Sequence, residues 1–115
     1  MIGKHYICDI RNINDYNNYI VHNKIYNIIN IIINYCNLKI IKKMEYVNNH
    51  NYSIIYILEN GHFTIHTFKE YISIILDLYV ANIKNNNSID FNILTNIIDD
   101  FFNNDCILHH IILDR

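Results

Sequence analysis

The chain has 115 residues, 51% of them hydrophobic, and a formal net charge of −2 with only nine Lys and Arg. This length predicts a single domain over residues 1–115 with one core, and so few basic residues exclude the charge pattern of a nucleic-acid-binding surface. No apolar run reaches the roughly 20 residues that span a bilayer, and the first ten residues lack a signal-peptide pattern, so we expect a cytoplasmic protein with no membrane partner.

The first half of the chain predicts a strand, a long helix and a second strand. Residues 4–10 alternate as a strand does, and Asn14 or Asp15 can cap a helix that ends near residue 36. Residues 38–47 form the second strand. The apolar residues of the helix recur every three or four positions, which is the spacing of one helical face. They are Val21, Ile25, Ile28, Ile29, Ile32 and Cys36.

The second half predicts a hairpin, a further strand, a helix and a closing strand. Residues 53–59 and 62–68 have strand character, and Asn60-Gly61 between them favours a hairpin with a type I′ turn. Residues 71–81 form the next strand. Ser88 predicts the N-cap of a helix with Asp90 in its first turn, and residues 106–113 close the sheet. The apolar stripe of this helix is Leu94, Ile97, Ile98 and Phe101.

These elements predict an α+β fold, a two-layer α/β sandwich with the order βαβββαβ and two helices on one face of a mainly antiparallel sheet. The strands are apolar on both faces, since Ile55 and Ile57 lie opposite Ile54 and Leu58. The chain has only enough helix to cover one face. We therefore expect a homodimer through the sheet face, which gives a four-layer α/β/β/α sandwich.

Composition and cysteine spacing bear on the source and on disulfides. The chain has 28 Ile and 21 Asn but no Pro and no Trp. Codons of an A+T-rich genome, that of a large DNA virus, a parasite or a bacterium, explain this bias better than a fold does. A viral genome would place the protein in the host cytoplasm or the virion. Three cysteines without a C-x-x-C pair argue against a disulfide framework and a structural zinc site, and predict buried thiols.

The histidines do not predict a metal site. His62 and His66 share a strand face but lie about 13 Å apart along an extended chain, which is too far for one zinc ion. The adjacent His109 and His110 point to opposite faces of their strand. We therefore predict surface or hydrogen-bonded histidines and no bound metal.

Residues 59–82, ENGHFTIHTFKEYISIILDLYVAN, carry the most specific motif of the chain. This segment resembles the one in bacterial and archaeal S-adenosylmethionine decarboxylases that reads roughly ESH-x-(S/T)-IHTWPEY and continues into a strand ending at a catalytic Cys. The opening GKHYICDI is similar to that family's G-(R/K)-H-L strand. The resemblance implies the same four-layer dimer, a Glu-Ser bond that breaks to give a pyruvoyl cofactor, and a role in polyamine biosynthesis.

The residues that perform this chemistry in the family are replaced here. Gly61 stands at the position of the self-cleaving Ser, Asn60 at that of the preceding Glu, and Ala81 at that of the catalytic Cys. Without a hydroxyl there is no acyl shift and no ester, so we expect no pyruvoyl and no other cofactor. Ala81 cannot protonate the product carbanion, which is a separate requirement of the reaction.

Other positions of the motif persist. The resemblance matches Ser53 and His66 to the family's processing Ser and His, and Glu70 to a Glu that contacts the nucleoside. Phe68 replaces the Trp of HTWPEY and can still stack on an adenine. Ser53 and His66 are either inherited structure, which we favour, or retained function.

Together these observations predict a catalytically inactive, unprocessed homologue, a pseudoenzyme that acts as a binding or regulatory dimer. Its candidate partners are a second copy, an active paralogue of the family, and a ligand that resembles S-adenosylmethionine. The alternative is a structural or virion assembly protein that reuses the fold. An active decarboxylase is the least favoured reading.

Overall fold

The computed structural model describes residues 3–21, 24–49, 51–81, 89–103 and 105–115. In this part of the chain, three helices and a six-stranded antiparallel sheet form two layers. The strands are β1 (Gly3–Arg11), β2 (Ile40–Asn48), β3 (Asn51–Leu58), β4 (Gly61–Phe68), β5 (Ser73–Ala81) and β6 (Ile107–Asp114). The helices are α1 (Tyr16–Val21), α2 (Lys24–Cys36) and α3 (Phe91–Phe102), and a single 3-10 turn, Lys69–Tyr71, joins β4 to β5.

The sheet order is β2-β3-β4-β5-β1-β6, with every neighbouring pair antiparallel. The predicted α+β two-layer sandwich is therefore confirmed. The predicted order βαβββαβ is one strand short, because four strands and not three lie between α2 and α3. The predicted residue ranges nevertheless contain all six strands. The first predicted helix corresponds to two helices, α1 and α2. The N-terminal strand β1 lies between β5 and β6, which brings it beside β5 residues that are 64 to 78 positions later in the chain.

One hydrophobic core fills the space between the helices and the inner face of the sheet. The predicted stripe of the long helix is confirmed for five of its six residues, which are buried in α2; the side chain of Val21 lies outside the described residues. In α3 the stripe is only partly right, because Ile97 and Phe101 are half-buried. The buried residues of α3 are Phe91, Leu94, Ile98 and Phe102.

The start of α3 differs from the prediction. Asp90 is not in the first turn but is the N-cap, and its carboxylate accepts hydrogen bonds from the backbone N–H groups of Asn92 and Ile93 at 3.0 and 3.3 Å. These bonds satisfy two of the backbone donors that a helix leaves free at its N-terminus. The predicted cap Ser88 lies outside the described residues.

A hydrogen-bond chain on the inner side ties α3 to two strands. The Asp99 carboxylate accepts from Nε2 of His110 at 2.7 Å, so Nδ1 of the neutral ring accepts from the Tyr6 hydroxyl, also at 2.7 Å. Burial raises the pKa of Tyr6 far above its ordinary value, which keeps this hydroxyl protonated as a donor. His110 is therefore a hydrogen-bonded structural residue, as the sequence predicts.

The opposite face of the sheet, which we call the outer face, has no described helix over it. Its side chains alternate with the core residues along β1, β3, β4 and β5. Met44 of β2, Ile57 of β3 and Ile111 of β6 are 52%, 41% and 45% exposed. The outer face thus carries apolar side chains, as predicted, but β4 also places His62, Thr64 and His66 on it. Within the described residues, no helix is long and apolar enough to cross a membrane.

Candidate functional site

The turn between β3 and β4 lies one residue before its predicted position. Leu58 pairs with Gly61, so the connecting residues are Glu59 and Asn60, and Gly61 is the first residue of β4. None of the residues 59–61 has a positive φ. A type I′ turn requires positive φ at both central residues, so the predicted turn type is wrong.

Contacts with other segments explain why the local preference of Asn-Gly does not decide this turn. The Ala81 N–H donates to the Asn60 carbonyl at 2.8 Å, and the Asn60 side-chain amide donates to the Ala81 carbonyl at 3.1 Å. The Glu59 N–H donates to the carbonyl of Lys39 at 3.0 Å. The turn is therefore held against the end of β5 and the segment before β2.

Gly61 lies too close to β5 to carry a side chain. An ideal β-carbon at this position would overlap the carbonyl oxygen of Tyr79 and would lie 2.8 Å from its carbonyl carbon and 3.2 Å from the Cα of Val80. These are backbone atoms of a central strand, so they cannot turn away as a flexible side chain can. Position 61 has neither a hydroxyl nor space for one, and the residues present do not fit a pyruvoyl group formed from it.

Ala81 ends β5 beside this turn and contributes only a methyl group. Cys8 and Cys36 are buried in the core, as predicted, whereas Cys106 is only partly buried. Burial raises the pKa of Cys8 and Cys36 to about 12 and that of Cys106 to about 11. The three thiols therefore stay protonated near neutral pH. Cys8 pairs with Leu76 of β5, which is five residues before Ala81, so its thiol lies away from position 81.

Ser53 and His66 are direct neighbours across β3 and β4. They form a cross-strand pair, and the Ser53 hydroxyl oxygen lies 3.0 Å from Nδ1 of His66. Both side chains are half-buried on the outer face. His66 is five residues from Gly61 along an extended strand, a separation of about 16 Å. The structure thus brings these two residues together but separates them from Gly61 within one chain.

Phe68 and Glu70 lie near each other at the end of β4. Phe68 is 39% exposed, and its ring centroid is 6.5 Å from that of His66. Glu70 belongs to the 3-10 turn and lines a polar cleft of about 490 Å³. The other described residues of this cleft are Asn48, Asn49, Asn51 and Lys69. Phe68 is not among them, so the two predicted ligand residues do not share one described pocket.

The sequence analysis missed a second polar cluster on the outer face. His5 of β1 and His62 of β4 flank Tyr79 of β5, because both pair with it. Their Nε2 atoms lie 2.6 and 3.2 Å from the same carboxylate oxygen of Asp77. Nη2 of Arg115 donates to Nδ1 of His5 at 3.0 Å. The cluster depends on β1 pairing with β5, which no local pattern predicts.

Comparisons with known proteins show the family from the sequence and a shared fold from the structure. The sequence model described as S-adenosylmethionine decarboxylase matches residues 4–106, which is most of the chain. No curated protein matches. Among solved structures, the chain is similar to a crystal structure of the adenosylmethionine decarboxylase from Aquifex aeolicus VF5, with a TM-score of 0.74 and 19% identity over 99% of this chain and 90% of that one. An identity this low shows a shared fold alone.

Proposed function

The chain belongs to the S-adenosylmethionine decarboxylase family, and we propose that it is a member that neither cleaves itself nor decarboxylates a substrate. The packing of Gly61 against the carbonyl oxygen of Tyr79 carries this proposal. In the resembling motif, a Ser at this position starts the self-cleavage with its hydroxyl. Here the hydroxyl is missing, and backbone atoms occupy the space that its β-carbon needs.

Position 81 supports the proposal independently. In the resembling motif, a Cys at the end of this strand supplies a proton during the reaction. Ala81 has no ionisable group, and the core thiols of Cys8 and Cys36 have a pKa of about 12. Restoring one of the two positions would therefore leave the other requirement unmet.

We propose that the protein acts as a binding or regulatory dimer. The partly exposed apolar residues of the outer face favour a partner that covers them, either a second copy or an active paralogue. The pair Ser53–His66 and the exposed residues Phe68 and Glu70 persist beside this face. An adenine could stack on the exposed ring of Phe68, and the carboxylate of Glu70, two residues further along the chain, could pair with a charged amine.

Calorimetric titration with S-adenosylmethionine and with its decarboxylated form tests the binding role. We expect saturable binding, no release of CO₂, and a loss of affinity of about tenfold in Glu70→Gln, because a charged hydrogen-bond partner is removed. Glu59→Gln is the matched control, since Glu59 is an exposed Glu in the turn at the opposite end of β4. Release of CO₂ contradicts the proposed inactivity, and absence of saturable heat contradicts the binding role.

A structural or assembly role is the second candidate, and the exposed apolar outer face favours it as well. It differs from the first in requiring no small ligand. A chain that self-associates but takes up neither form of the ligand would support assembly over regulation.

A further inference from the structure

We propose that His5, His62 and Asp77 form a binding site for a divalent transition-metal ion such as Zn²⁺. Two imidazoles and one carboxylate are a ligand set that Zn²⁺ accepts in proteins, with a further position left for water or a substrate. The prediction of no metal considered only histidines that are close in sequence. It did not include His5, which the fold brings beside His62 from another strand.

The ligand atoms already converge on one point. One atom from each of the three side chains lies within 4.8 Å of the other two. A tetrahedral Zn²⁺ with bonds of about 2.0–2.1 Å separates its ligand atoms by roughly 3.3 Å. Nε2 of His62 lies 3.2 Å from Oδ1 of Asp77, and Nε2 of His5 lies 2.6 Å from it. The distance between Nε2 of His5 and Oδ1 of Asp77 must increase by only about 0.7 Å to admit an ion of this geometry.

The backbone pairing of the sheet fixes the positions of the three ligand residues relative to one another. The ligands come from β4, β5 and β1, three adjacent strands whose backbones are paired along their length. The ring of Tyr79 packs beside both imidazoles, with its centroid 5.9 Å from that of His5 and 6.0 Å from that of His62, and the two imidazole centroids are 6.2 Å apart. All three ligands belong to one chain, so the proposed dimer supplies none of them.

In the single chain the site is open to ions from solution, whereas the proposed dimer through the outer face would restrict this access. The side chains of His5, Asp77 and His62 are 16%, 31% and 44% exposed. This partial burial lets an ion enter and leaves room for a water molecule as the fourth ligand. We therefore expect reversible binding, unlike that of a closed structural zinc site.

Arg115 controls which tautomer His5 adopts without metal. A guanidinium only donates hydrogen bonds, so Nδ1 of His5 accepts from Arg115, and the neutral ring carries its proton on Nε2, which donates to Asp77. A metal bound to Nε2 requires this proton to move to Nδ1, which then cannot accept from Arg115. Arg115 therefore competes with the ion, and its removal should strengthen metal binding.

Titration of the full, tag-free chain with Zn²⁺ at neutral pH tests the site. We expect one Zn²⁺ per chain, about 100-fold weaker binding in His62→Ala and in Asp77→Asn, and tighter binding in Arg115→Ala. Co²⁺ used as a spectroscopic probe should show visible absorption bands of nitrogen and oxygen ligands without a thiolate charge-transfer band. His109→Ala is the matched control, because His109 is an exposed histidine on the edge strand β6; its affinity should equal that of the unmodified chain.

Two results would overturn this assignment. One is no saturable Zn²⁺ binding by the unmodified chain. The other is a His62→Ala variant that binds as tightly as the unmodified chain, since the ion would then lie elsewhere. Circular dichroism of each variant establishes that it is folded, and His62→Gln replaces His62→Ala if the latter unfolds. Metal binding is measured without the nucleoside ligand, so a chain that binds no Zn²⁺ does not contradict the proposed function. A chain that binds no nucleoside ligand likewise does not contradict the metal site.

Discussion

We expect Gly61→Ser to lower the free energy of unfolding by about 3 kcal/mol and to leave the chain uncleaved. The new β-carbon would overlap the carbonyl oxygen of Tyr79, so β4 and β5 must separate where they now pair. Separation strains the cross-strand hydrogen bonds near the end of β5. Restoring the hydroxyl of the resembling motif therefore does not restore the geometry that self-cleavage needs.

Thermal or urea unfolding together with intact mass spectrometry measures both parts of this result. Asn60→Ser is the matched control, because it introduces the same side chain one position earlier, where a β-carbon is already present. It removes only the bond from the Asn60 amide to the Ala81 carbonyl and should cost about 1 kcal/mol. A Gly61→Ser chain that is as stable as the original, or that splits at residues 60 and 61, contradicts the packing argument.

We expect Ile57→Lys to convert the proposed dimer into monomers, weakening association by about 100-fold or more. Ile57 lies on the outer face and is 41% exposed in the single chain, so a Lys there is tolerated by the monomer. In a dimer that stacks sheet on sheet, the same ammonium group would be buried without a partner. The loss of association therefore reflects the interface and not the fold.

Ile93→Lys provides the matched control for this experiment. Ile93 is 47% exposed on α3, in the helical layer on the other side of the sheet, and the dimer leaves it in solvent. Light scattering after size-exclusion chromatography should give a dimer for the unmodified chain and for Ile93→Lys, and a monomer for Ile57→Lys. A monomeric unmodified chain, or dissociation caused by Ile93→Lys as well, contradicts association through the outer face.

The sequence predicts most of the elements because their hydrophobic periods are regular. The stripe of α2 at intervals of three and four residues, and the alternation along β3 and β5, fix which side chains reach the core. The position of Asp90 was harder to predict, since Ser88 and Asp90 are both good caps at sequence level. Hydrogen bonds to Asn92 and Ile93 decide it in the structure.

The turn after β3 shows where local preference fails. Asn-Gly favours a type I′ turn, yet the hydrogen bonds between Asn60 and Ala81 place Gly61 inside the strand. A contact between residues 21 positions apart thus outweighs the dipeptide. Because the turn lies one residue earlier, position 61 needs glycine for its close approach to β5 and not for a positive φ.

No local sequence pattern predicts the cluster of His5, His62 and Asp77. His5 and Asp77 are 72 residues apart in the chain and meet only because β1 pairs with β5. The pair Ser53 and His66 depends on where the hairpin turn lies. A turn at Asn60-Gly61 would pair Ser53 with Phe68, whereas the observed turn at Glu59-Asn60 pairs Ser53 with His66. Hairpin partners therefore require the exact position of the turn, and partners across a sheet require its strand order.

Intact mass spectrometry of the purified, unmodified chain tests the central claim most directly. The account predicts a single species of about 13.8 kDa, the mass of the full chain, after prolonged incubation as well as at once. Two fragments that meet between Asn60 and Gly61 would contradict it, because they would show that this junction still cleaves itself despite the missing hydroxyl.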